Sequence, residues 1–282
     1  MQVAGVDVLE VAAPDKQDRR RRGKNDDFDA QSAAHAAYAR RRTVTPRSRD
    51  GMVESLRVLK VCRKTAVQAR RIALQIIQTT IVCAPDRLRE LLRNMTRMKL
   101  IRTLAAWRPD LTGYRDVEEA YKIALKSLAR RYLELHDEVA DLDDMIEAIV
   151  TDLAPELIAR NGVGLNSAAQ LLLTAGDNPK RLRSEASFAA LCGVSPVPAS
   201  SGKTTRHRLS RGGDRAANSA LHIIAIGRLR LDPKTREYVS RRIAEGHSKL
   251  EAIRCVKRYI AREIFNVIAR RQKQINQAQI AA

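Results

Sequence analysis

Aromatic residues, glycine and proline are all scarce in this chain of 282 residues. Aromatic residues make up 4% of it, and there are 13 glycines and 9 prolines. Leu, Ala, Ile and Val must therefore form most of the core, and long stretches carry no helix-breaking residue. Because 44% of the residues are hydrophobic, the chain is able to bury a core, which excludes disorder throughout. The composition predicts a mainly helical protein.

Cysteine is scarce too, and long apolar runs are missing. The four cysteines, Cys62, Cys83, Cys192 and Cys255, form no C-x-x-C pair, which argues against a zinc site or a disulfide framework. We expect them to be buried, reduced thiols. No stretch reaches the roughly 20 apolar residues of a membrane span, and we find no secretory signal peptide. These absences predict a cytoplasmic protein.

Positive charge is what the chain has in excess. Lys and Arg number 52 against 32 Asp and Glu, for a net charge of +20. Such a field attracts polyanions, and the neutralisation of phosphates with release of counterions is the most direct use of it. The charge predicts a nucleic acid as partner, with an anionic membrane surface as the alternative.

The first 50 residues combine a strand-like segment, a basic run and a helical segment. Residues 3–11 (VAGVDVLEV) predict one strand, residues 19–22 are consecutive arginines, and residues 30–42 are Ala-rich and helical in character. A single strand needs partners for its backbone groups. We therefore expect this region to be the tail of an α/β domain whose earlier strands are absent.

The rest of the sequence has the spacing of helices. Apolar residues predict helix over residues 50–94, with a break at Pro85, and over residues 117–149. Alternating charges in the second run indicate a helical hairpin or a coiled-coil-like arm. Further along, the pattern predicts helices over 166–175, 187–191, 215–229 and 249–271, another from Thr235, and a loop over 193–213.

Two carboxylates, Asp26 and Asp29, stand three residues apart at the start of a helix, so both project from one face. Paired carboxylates suit Mg²⁺, which prefers hard oxygen ligands and contacts phosphates through its remaining positions. The alternative is that these residues cap helix amides and interact with the helix dipole. The spacing alone leaves both interpretations open.

Two glycines, Gly162 and Gly164, separate two helical stretches. They resemble the turn of a helix-hairpin-helix element, in which backbone amides approach a DNA phosphate. An ordinary glycine-containing connection between helices explains the same pattern. Two glycines do not decide between these interpretations.

The loop predicted over residues 193–213 carries adjacent serines, a glycine and several basic residues. A serine hydroxyl attacks a phosphodiester when its proton is removed and the phosphate charge is neutralised. The hydroxyls belong to Ser200 and Ser201, and the neutralising charges to Lys203, Arg206, Arg208 and Arg211. The loop lacks the spacing of a Walker motif. The alternative is a solvated loop that touches phosphates passively.

Together and in this order, these segments resemble the DEDD transposases related to the Piv DNA invertases, the insertion-sequence one-ten family. Residues 23–30 (GKNDDFDA) are similar to the family's G-K-[ST]-D-x-x-D-A, and residues 189–196 (AALCGVSP) run into the Ser-Ser-Gly step. Residues 209–215 (LSRGGDR) resemble a basic stretch that ends in Gly-Asn or Gly-Asp. The resemblance extends from about residue 5 to about residue 270.

The resemblance implies a mainly α fold with a fixed domain order. In that family a RuvC-like domain of ribonuclease-H-type α/β fold holds four acidic residues, and a helical arm leads to a C-terminal transposase domain. By this resemblance residues 1–50 are a remnant of the RuvC-like domain and residues 51–152 are the helical linker and coiled-coil-like arm. Residues 153–272 are the helical transposase domain with a helix-hairpin-helix-like element, and residues 273–282 are a tail.

The resemblance also implies roles for individual residues. Asp26 and Asp29 match the last two of the four acidic residues and would hold Mg²⁺, and Ser201 is the expected nucleophile, with Ser200 as the alternative. The expected nucleic-acid contacts are Gly162, Gly164, Lys203, Arg206, Arg208 and Arg211. The implied partners are DNA, a structured guide RNA and further copies of the chain, in a bacterial cytoplasm without membrane attachment.

The first two acidic positions of the family have no counterpart in this sequence. The strand with its Asp and the segment with its Glu should precede Val6, and Asp7 and Glu10 do not replace them. We therefore expect a truncated gene copy or a start codon assigned too late. The chain as given is then expected to be weakly active or inactive in recombination.

Three classes of function are compatible with the sequence. The first is a transposase-type DNA recombinase with a serine nucleophile, and the second a non-catalytic, basic nucleic-acid-binding protein derived from a transposase. A structural protein of the nucleoid fits the charge but leaves the Ser-Ser-Gly loop unexplained. An in-frame extension upstream of codon 1, with a strand carrying Asp and then a Glu, would favour the enzyme.

Overall fold

The protein folds into helices with little strand. The structure is a computed structural model, and it describes residues 8–11, 25–39, 43–44, 51–176, 182, 184–199 and 206–281. The prediction of a mainly helical protein is confirmed. None of the helices in these residues is long and apolar enough to cross a membrane. The chain divides into two compact units, one of residues 1–54 and 150–282 and the other of residues 55–149.

The N-terminal segment forms one helix and a two-stranded ladder. Strand β1 (Glu10–Val11) pairs antiparallel with β2 (Thr43–Val44), and helix α1 (Asp26–Tyr38) lies between them in sequence. The strand prediction is confirmed for residues 10–11 and wrong for residues 8–9, which lie before the strand, while residues 3–7 lie outside the described residues. Helix α1 begins earlier than residue 30 because the Asn25 side chain caps it, accepting a hydrogen bond of 3.0 Å from the amide of Asp27. A ribonuclease-H-type origin of this segment stays a prediction.

The unit of residues 55–149 is built on two long helices. Its helices are α2 (Met52–Val82), α3 (Asp86–Leu92), α4 (Arg97–Ala106) and α5 (Val117–Leu153), which confirms both long helical runs and the break at Pro85. The core is formed by buried side chains that include Ile77, Leu104 and Leu125, with Trp107 packed against it. On the polar side, Arg63 of α2 forms a two-point salt bridge with Asp143 of α5.

The C-terminal region forms a compact helical assembly. Its elements are α6 (Pro155–Ile158), α7 (Leu165–Ala175), α8 (Glu185–Leu191), β3 (Val197–Pro198), β4 (His207–Arg208), α9 (Arg215–Leu231), α10 (Pro233–Ala244) and α11 (Lys249–Ala281). Helix α9 packs against α7, α10 and α11, and α11 also contacts α8. Fully buried side chains of this region include Phe188, Leu171, Leu221 and Ile224.

Local sequence signals fix where these helices begin. Ser184 forms a capping box with Ser187 at the start of α8, and the Asp214 carboxylate accepts hydrogen bonds from the first amides of α9. Asp232 caps α10, where Pro233 occupies the first turn and needs no amide partner. The predicted helices are confirmed, but α11 continues to Ala281, well past the predicted end at Arg271.

Two sequence predictions need correction. The segment of residues 193–213 is more than a loop, since it holds the antiparallel strands β3 and β4. The prediction of buried thiols is right for Cys192 and wrong for Cys62 and Cys83, which are exposed. All four cysteines are free. Burial and the charge of Asp214 raise the pKa of the Cys192 thiol to about 12, so this group stays protonated at neutral pH.

Two glycines bring the chain before the β3–β4 hairpin against the chain after it. Gly193 and Gly213 have φ of +65° and +85°, in the region that favours glycine. A Cβ on Gly213 would lie 2.6 Å from the amide nitrogen of Gly193 and from the carbonyl oxygen of Leu191. The close approach allows the Asp214 amide to donate a 2.6 Å hydrogen bond to that same carbonyl.

Side chains of α9 hold this junction in place. The Asn218 side-chain amide donates to the carbonyl oxygens of Cys192 and Gly193, at 3.0 Å each. The Asp214 carboxylate accepts a 2.7 Å hydrogen bond from the Thr174 hydroxyl of α7. Both ends of the hairpin segment are therefore tied to the helical core.

The close contact at Gly213 predicts that a substitution there destabilises the fold, whereas the same substitution at Gly212 does not. Gly213→Ala should lower the free energy of unfolding by more than about 2 kcal/mol, because backbone strain and overlap with neighbouring backbone add. Gly212→Ala is the matched control, since a Cβ there meets nothing within 4 Å. Urea unfolding followed by circular dichroism measures both variants. Equal stability of the two would contradict the contact.

Substitution of Asn218 should also lower the stability of the fold. In Asn218→Ala, two carbonyl oxygens lose their donor and the ammonium of Lys257 loses its acceptor. We expect a loss of about 2 kcal/mol, because polar groups in a partly buried place are left without partners. The exposed neighbour Ser219 provides the control, and Ser219→Ala should change stability by less than about 0.5 kcal/mol. A thermal melt that does not separate the two variants would refute the proposed role of the Asn218 hydrogen bonds.

Candidate nucleic-acid-binding site

The β3–β4 hairpin carries the basic residues that the sequence singled out. Val197 pairs with Arg208 and Pro198 with His207, and the Ala199 amide donates a 2.8 Å hydrogen bond to the Arg206 carbonyl oxygen. The side chains of Arg206 and Arg208 are exposed. Arg211, also exposed, follows the hairpin on the way to α9. The predicted residues Ser200, Ser201 and Lys203 lie outside the described residues.

A cavity of about 380 Å³ lies between the hairpin and the N-terminal half of α11. Its two sides are joined by Arg254, whose guanidinium donates a 3.5 Å hydrogen bond to the His207 carbonyl oxygen. Seven of its lining residues carry basic side chains. They are Arg206 and Arg208 from the hairpin, Arg242 from α10, and Arg254, Lys257, Arg258 and Arg262 from α11.

Few carboxylates balance these cations. Glu185 of α8 is shared by two of them, at 2.8 Å from Arg262 and in a shorter contact with Arg258. Although burial opposes its ionisation, these two partners hold the pKa of Glu185 below its usual value. Arg242 pairs with Glu245, outside the cavity lining.

Glu251 is the acidic side chain that lines the cavity among the described residues. Hydrogen bonds from the amide and hydroxyl of Ser248, and then the charges of Arg206 and Arg254, lower its pKa. Its closest oxygen lies 3.6 Å from the Arg254 guanidinium. Glu185 and Glu251 are therefore ionised at neutral pH, and each already neutralises one positive charge. The seven cations of the lining still outnumber these carboxylates, so the cavity keeps an excess of positive charge.

The paired carboxylates lie elsewhere. Asp26 and Asp29 share the first turn of α1 with Asp27, and no residue of α1 lines the cavity. Across the described part of the chain, no group of three or more His, Cys, Asp or Glu side chains is placed to hold a metal ion. If Mg²⁺ bound at this helix, Asp26 and Asp29 would supply two carboxylates, and water or phosphate oxygens would have to fill its remaining positions.

The two predicted glycines differ in their surroundings. Gly162 has φ of +74°, and a Cβ on it would lie 3.1 Å from Cγ of Arg228 and 3.2 Å from the Ile224 carbonyl oxygen in α9. Its missing side chain is thus used in packing against α9. At Gly164 an added Cβ meets nothing within 4 Å. Helix α6, which precedes them, has only 4 residues, and a role of this turn in DNA binding stays a prediction.

Sequence reasoning missed the contribution of α11. Arg254, Arg258 and Arg262 recur every four residues and Lys257 follows Arg254 by three, which places all four along one side of a helix. This spacing is a signal that the sequence itself contains. Its position beside the hairpin follows from tertiary packing, because α11 contacts both α8 and α9.

Comparison with known proteins connects this region to insertion sequences. Residues 155–240, from α6 into α10, match the model of the transposase IS116/IS110/IS902 family. The chain is 31% identical over 134 residues to the insertion element IS110 uncharacterized 43.6 kDa protein of Streptomyces coelicolor. It is 28% identical over 144 residues to the insertion element IS900 uncharacterized 42 kDa protein of Mycobacterium paratuberculosis.

The matches cover parts of each protein. They include 46% of this chain and 33% of the Streptomyces relative, and 50% of this chain and 35% of the Mycobacterium relative. The chain's matched segment thus spans about a third of the length of these relatives. The hairpin and the whole of α9 fall inside the family match, whereas α11 follows it. Residues 155–240 therefore carry the sequence pattern of the IS116/IS110/IS902 transposase family.

Proposed function

We propose that this chain is a transposase-type DNA recombinase of an insertion sequence, which binds DNA at the β3–β4 hairpin and takes part in strand transfer. The observation that carries the proposal is the basic cavity beside the hairpin, because the hairpin lies within the segment that matches a transposase family. The DNA-binding part of the proposal follows from charge and geometry. The chemical part follows from the sequence resemblance.

Charge supports a polyanionic partner for the C-terminal region. Residues 150–282 contain 23 Lys and Arg and 10 Asp and Glu, so they carry a net charge of +13 out of the +20 of the whole chain. A surface with such an imbalance binds a phosphate backbone by releasing condensed counterions. The exposed side chains of Arg206, Arg208 and Arg211 are suited to this role, because long arginine side chains reach neighbouring phosphates.

Contacts of this kind position a duplex without reading its sequence. Arginine contacts to phosphate oxygens fix orientation and register, whereas sequence is read at base edges. We therefore propose that the hairpin holds DNA and that target choice is made elsewhere, by base pairing with a structured guide RNA. The family resemblance supports the RNA.

For the chemical step we propose Ser201 as the nucleophile, with Ser200 as the alternative. The Oγ–P bond forms as the bond from phosphorus to one sugar oxygen breaks, and that sugar leaves as a free hydroxyl after taking up a proton. The net change replaces the serine hydroxyl proton by a phosphodiester link to DNA. Cations beside the serine offset the charge that develops on the phosphate in this step.

The acidic residues would come from a different place in the assembly. Asp26 and Asp29, with Mg²⁺, are proposed to serve strand transfer, and α1 contributes nothing to the cavity lining. Carboxylates from another domain or another subunit would have to approach the serine. This favours a homo-oligomer, because catalysis then waits for both DNA partners.

DNA binding by the chain should weaken steeply with salt. The slope of log K against log salt should be about −0.9 for each phosphate neutralised on duplex DNA. Arg206→Gln and Arg208→Gln should each weaken binding to all sequences alike and make the slope shallower by about 1. Arg236→Gln, an exposed change on α10 away from the cavity lining, is the control. Fluorescence anisotropy at several salt concentrations measures this, and a flat response would contradict DNA binding.

Serine attack predicts a covalent product that water attack does not give. Residues matched to the family's acidic set are two of four, so the test uses a version of the protein in which all four are present. Ser201→Ala should abolish a denaturation-resistant protein–DNA adduct while DNA binding persists, and Ser200→Ala should retain some adduct. Gel electrophoresis under denaturing conditions with end-labelled DNA reads out the adduct.

The two serine variants control for each other. An adduct formed by Ser201→Ala and lost in Ser200→Ala would move the nucleophile to Ser200. An adduct formed by both variants would place the nucleophile elsewhere in the protein. Mapping of the phosphopeptide by mass spectrometry identifies the residue directly.

A further inference from the structure

Lys257 of α11 is a buried cation without a carboxylate partner. Its side chain belongs to a residue that is 6% exposed, and it lies on the cavity side of the helix. Among the described residues its hydrogen-bond partner is the Asn218 side-chain oxygen, and it takes part in no salt bridge. An ammonium group has three N–H donors, so one amide oxygen leaves its hydrogen-bonding capacity incomplete. Burial of a charge in such a setting is costly.

The neighbours of Lys257 increase this cost. Arg254, one helical turn before it, lines the same cavity. Burial first, and then the charge of Arg254, lower the pKa of Lys257. A core position that served packing alone would be more stable with an apolar residue, because apolar side chains need no charge partner. Lys257 therefore has no anionic partner among the described residues.

The whole cavity has the same deficit. Seven Lys and Arg side chains line it, and Glu251 is the acidic side chain among its lining residues. Glu185 and Glu245, just outside the lining, pair with Arg258, Arg262 and Arg242. Arg254 pairs with Glu251, so among the described residues Lys257 and the hairpin arginines are the lining cations without a salt bridge. At about 380 Å³, the cavity is in the range of sites that hold small ligands, roughly 300–1,000 Å³.

We infer that this cavity is an anchoring site for one phosphodiester group of a nucleic acid, held by Lys257 from within and by Arg254 and Arg208 from its sides. This inference rests on the proposed function and deepens it. The exposed hairpin arginines attract a backbone in general, whereas a buried ammonium contacts one phosphate that enters the cavity. Phosphate is favoured over carboxylate because its oxygens, at several angles, satisfy donors on both walls.

The position of the site argues for a polymer over a free metabolite. The hairpin side of the cavity carries the exposed residues Arg206 and Arg208, so a chain with repeated phosphates continues from the cavity onto an already basic surface. The buried cation also acts where water is partly excluded, and its attraction for a phosphate is stronger there than that of a solvated arginine. DNA and RNA share this chemistry, and the experiment separates them.

Lys257→Met tests the inference, since it keeps most of the side-chain volume and removes the charge. We expect affinity to fall about tenfold and the slope of log K against log salt to become shallower by about 1, as for loss of one phosphate contact. Binding is measured by anisotropy with three probes of the same sequence: a 20-nucleotide single-stranded DNA, the corresponding duplex and an RNA. The probe whose binding is weakened identifies the nucleic acid that enters the cavity.

Two further variants keep the test decisive. Arg270→Gln removes an exposed charge 13 residues further along α11, outside the cavity, and should leave affinity within about twofold. Arg254→Gln supplies the same test at a half-buried position if Lys257→Met fails to fold, as judged by circular dichroism. It should reproduce the tenfold loss.

The outcomes distinguish this inference from the proposed function. If the unmodified chain binds none of the three probes, the proposed function fails. If it binds and folded Lys257→Met, or Arg254→Gln in its place, binds all three with unchanged affinity and slope, the anchoring site is refuted. In that case Lys257 serves to hold Asn218.

Discussion

The contact between the two ends of the hairpin segment is the interaction on which the candidate site depends. Gly193 and Gly213 meet backbone to backbone, closer than any side chain would permit. Asn218 then ties the residues before the hairpin to α9, while Asp214 joins the residues after it to α7 and starts the same helix. Both ends of the hairpin are thereby fixed to the helices, although its own ladder has only two residue pairs.

The helices that hold the hairpin also carry more positive than negative charge. Helix α11 places several cations beside the hairpin, and they outnumber the nearby carboxylates. Concentrated like charge opposes folding, and a protein accepts that cost where the charge is used to bind. An anion bound only to the folded form would stabilise it by RT ln(1 + c/Kd), where c is the anion concentration, an amount that grows with the logarithm of c once c exceeds Kd. The stability of this region and its binding of polyanions are therefore linked through one set of side chains.

Different forces govern the unit of residues 55–149. Its long helices bury apolar side chains such as Ile77 and Leu125 along one side and carry ion pairs such as that of Arg63 and Asp143 on another. Ion pairs that keep some contact with solvent contribute little individually, so packing of the apolar stripe is the main source of stability. A core of this kind is built from aliphatic side chains and needs few aromatic residues. Trp107, the one tryptophan of the chain, packs against it.

The sequence by itself determined the helical character, the long helices and most of their ends, because apolar spacing and caps such as Asp214 act over a few residues. It also determined the net charge and the transposase pattern, with Ser201 as a candidate, since motifs are local. Only the tertiary structure decided that α11 forms the second wall of a basic cavity, that Gly162 packs against α9, and that Lys257 is buried without a carboxylate. These facts join residues that are far apart in the sequence, such as Asn161 and Arg228, 67 positions apart, and spacing along the chain carries no information about such contacts.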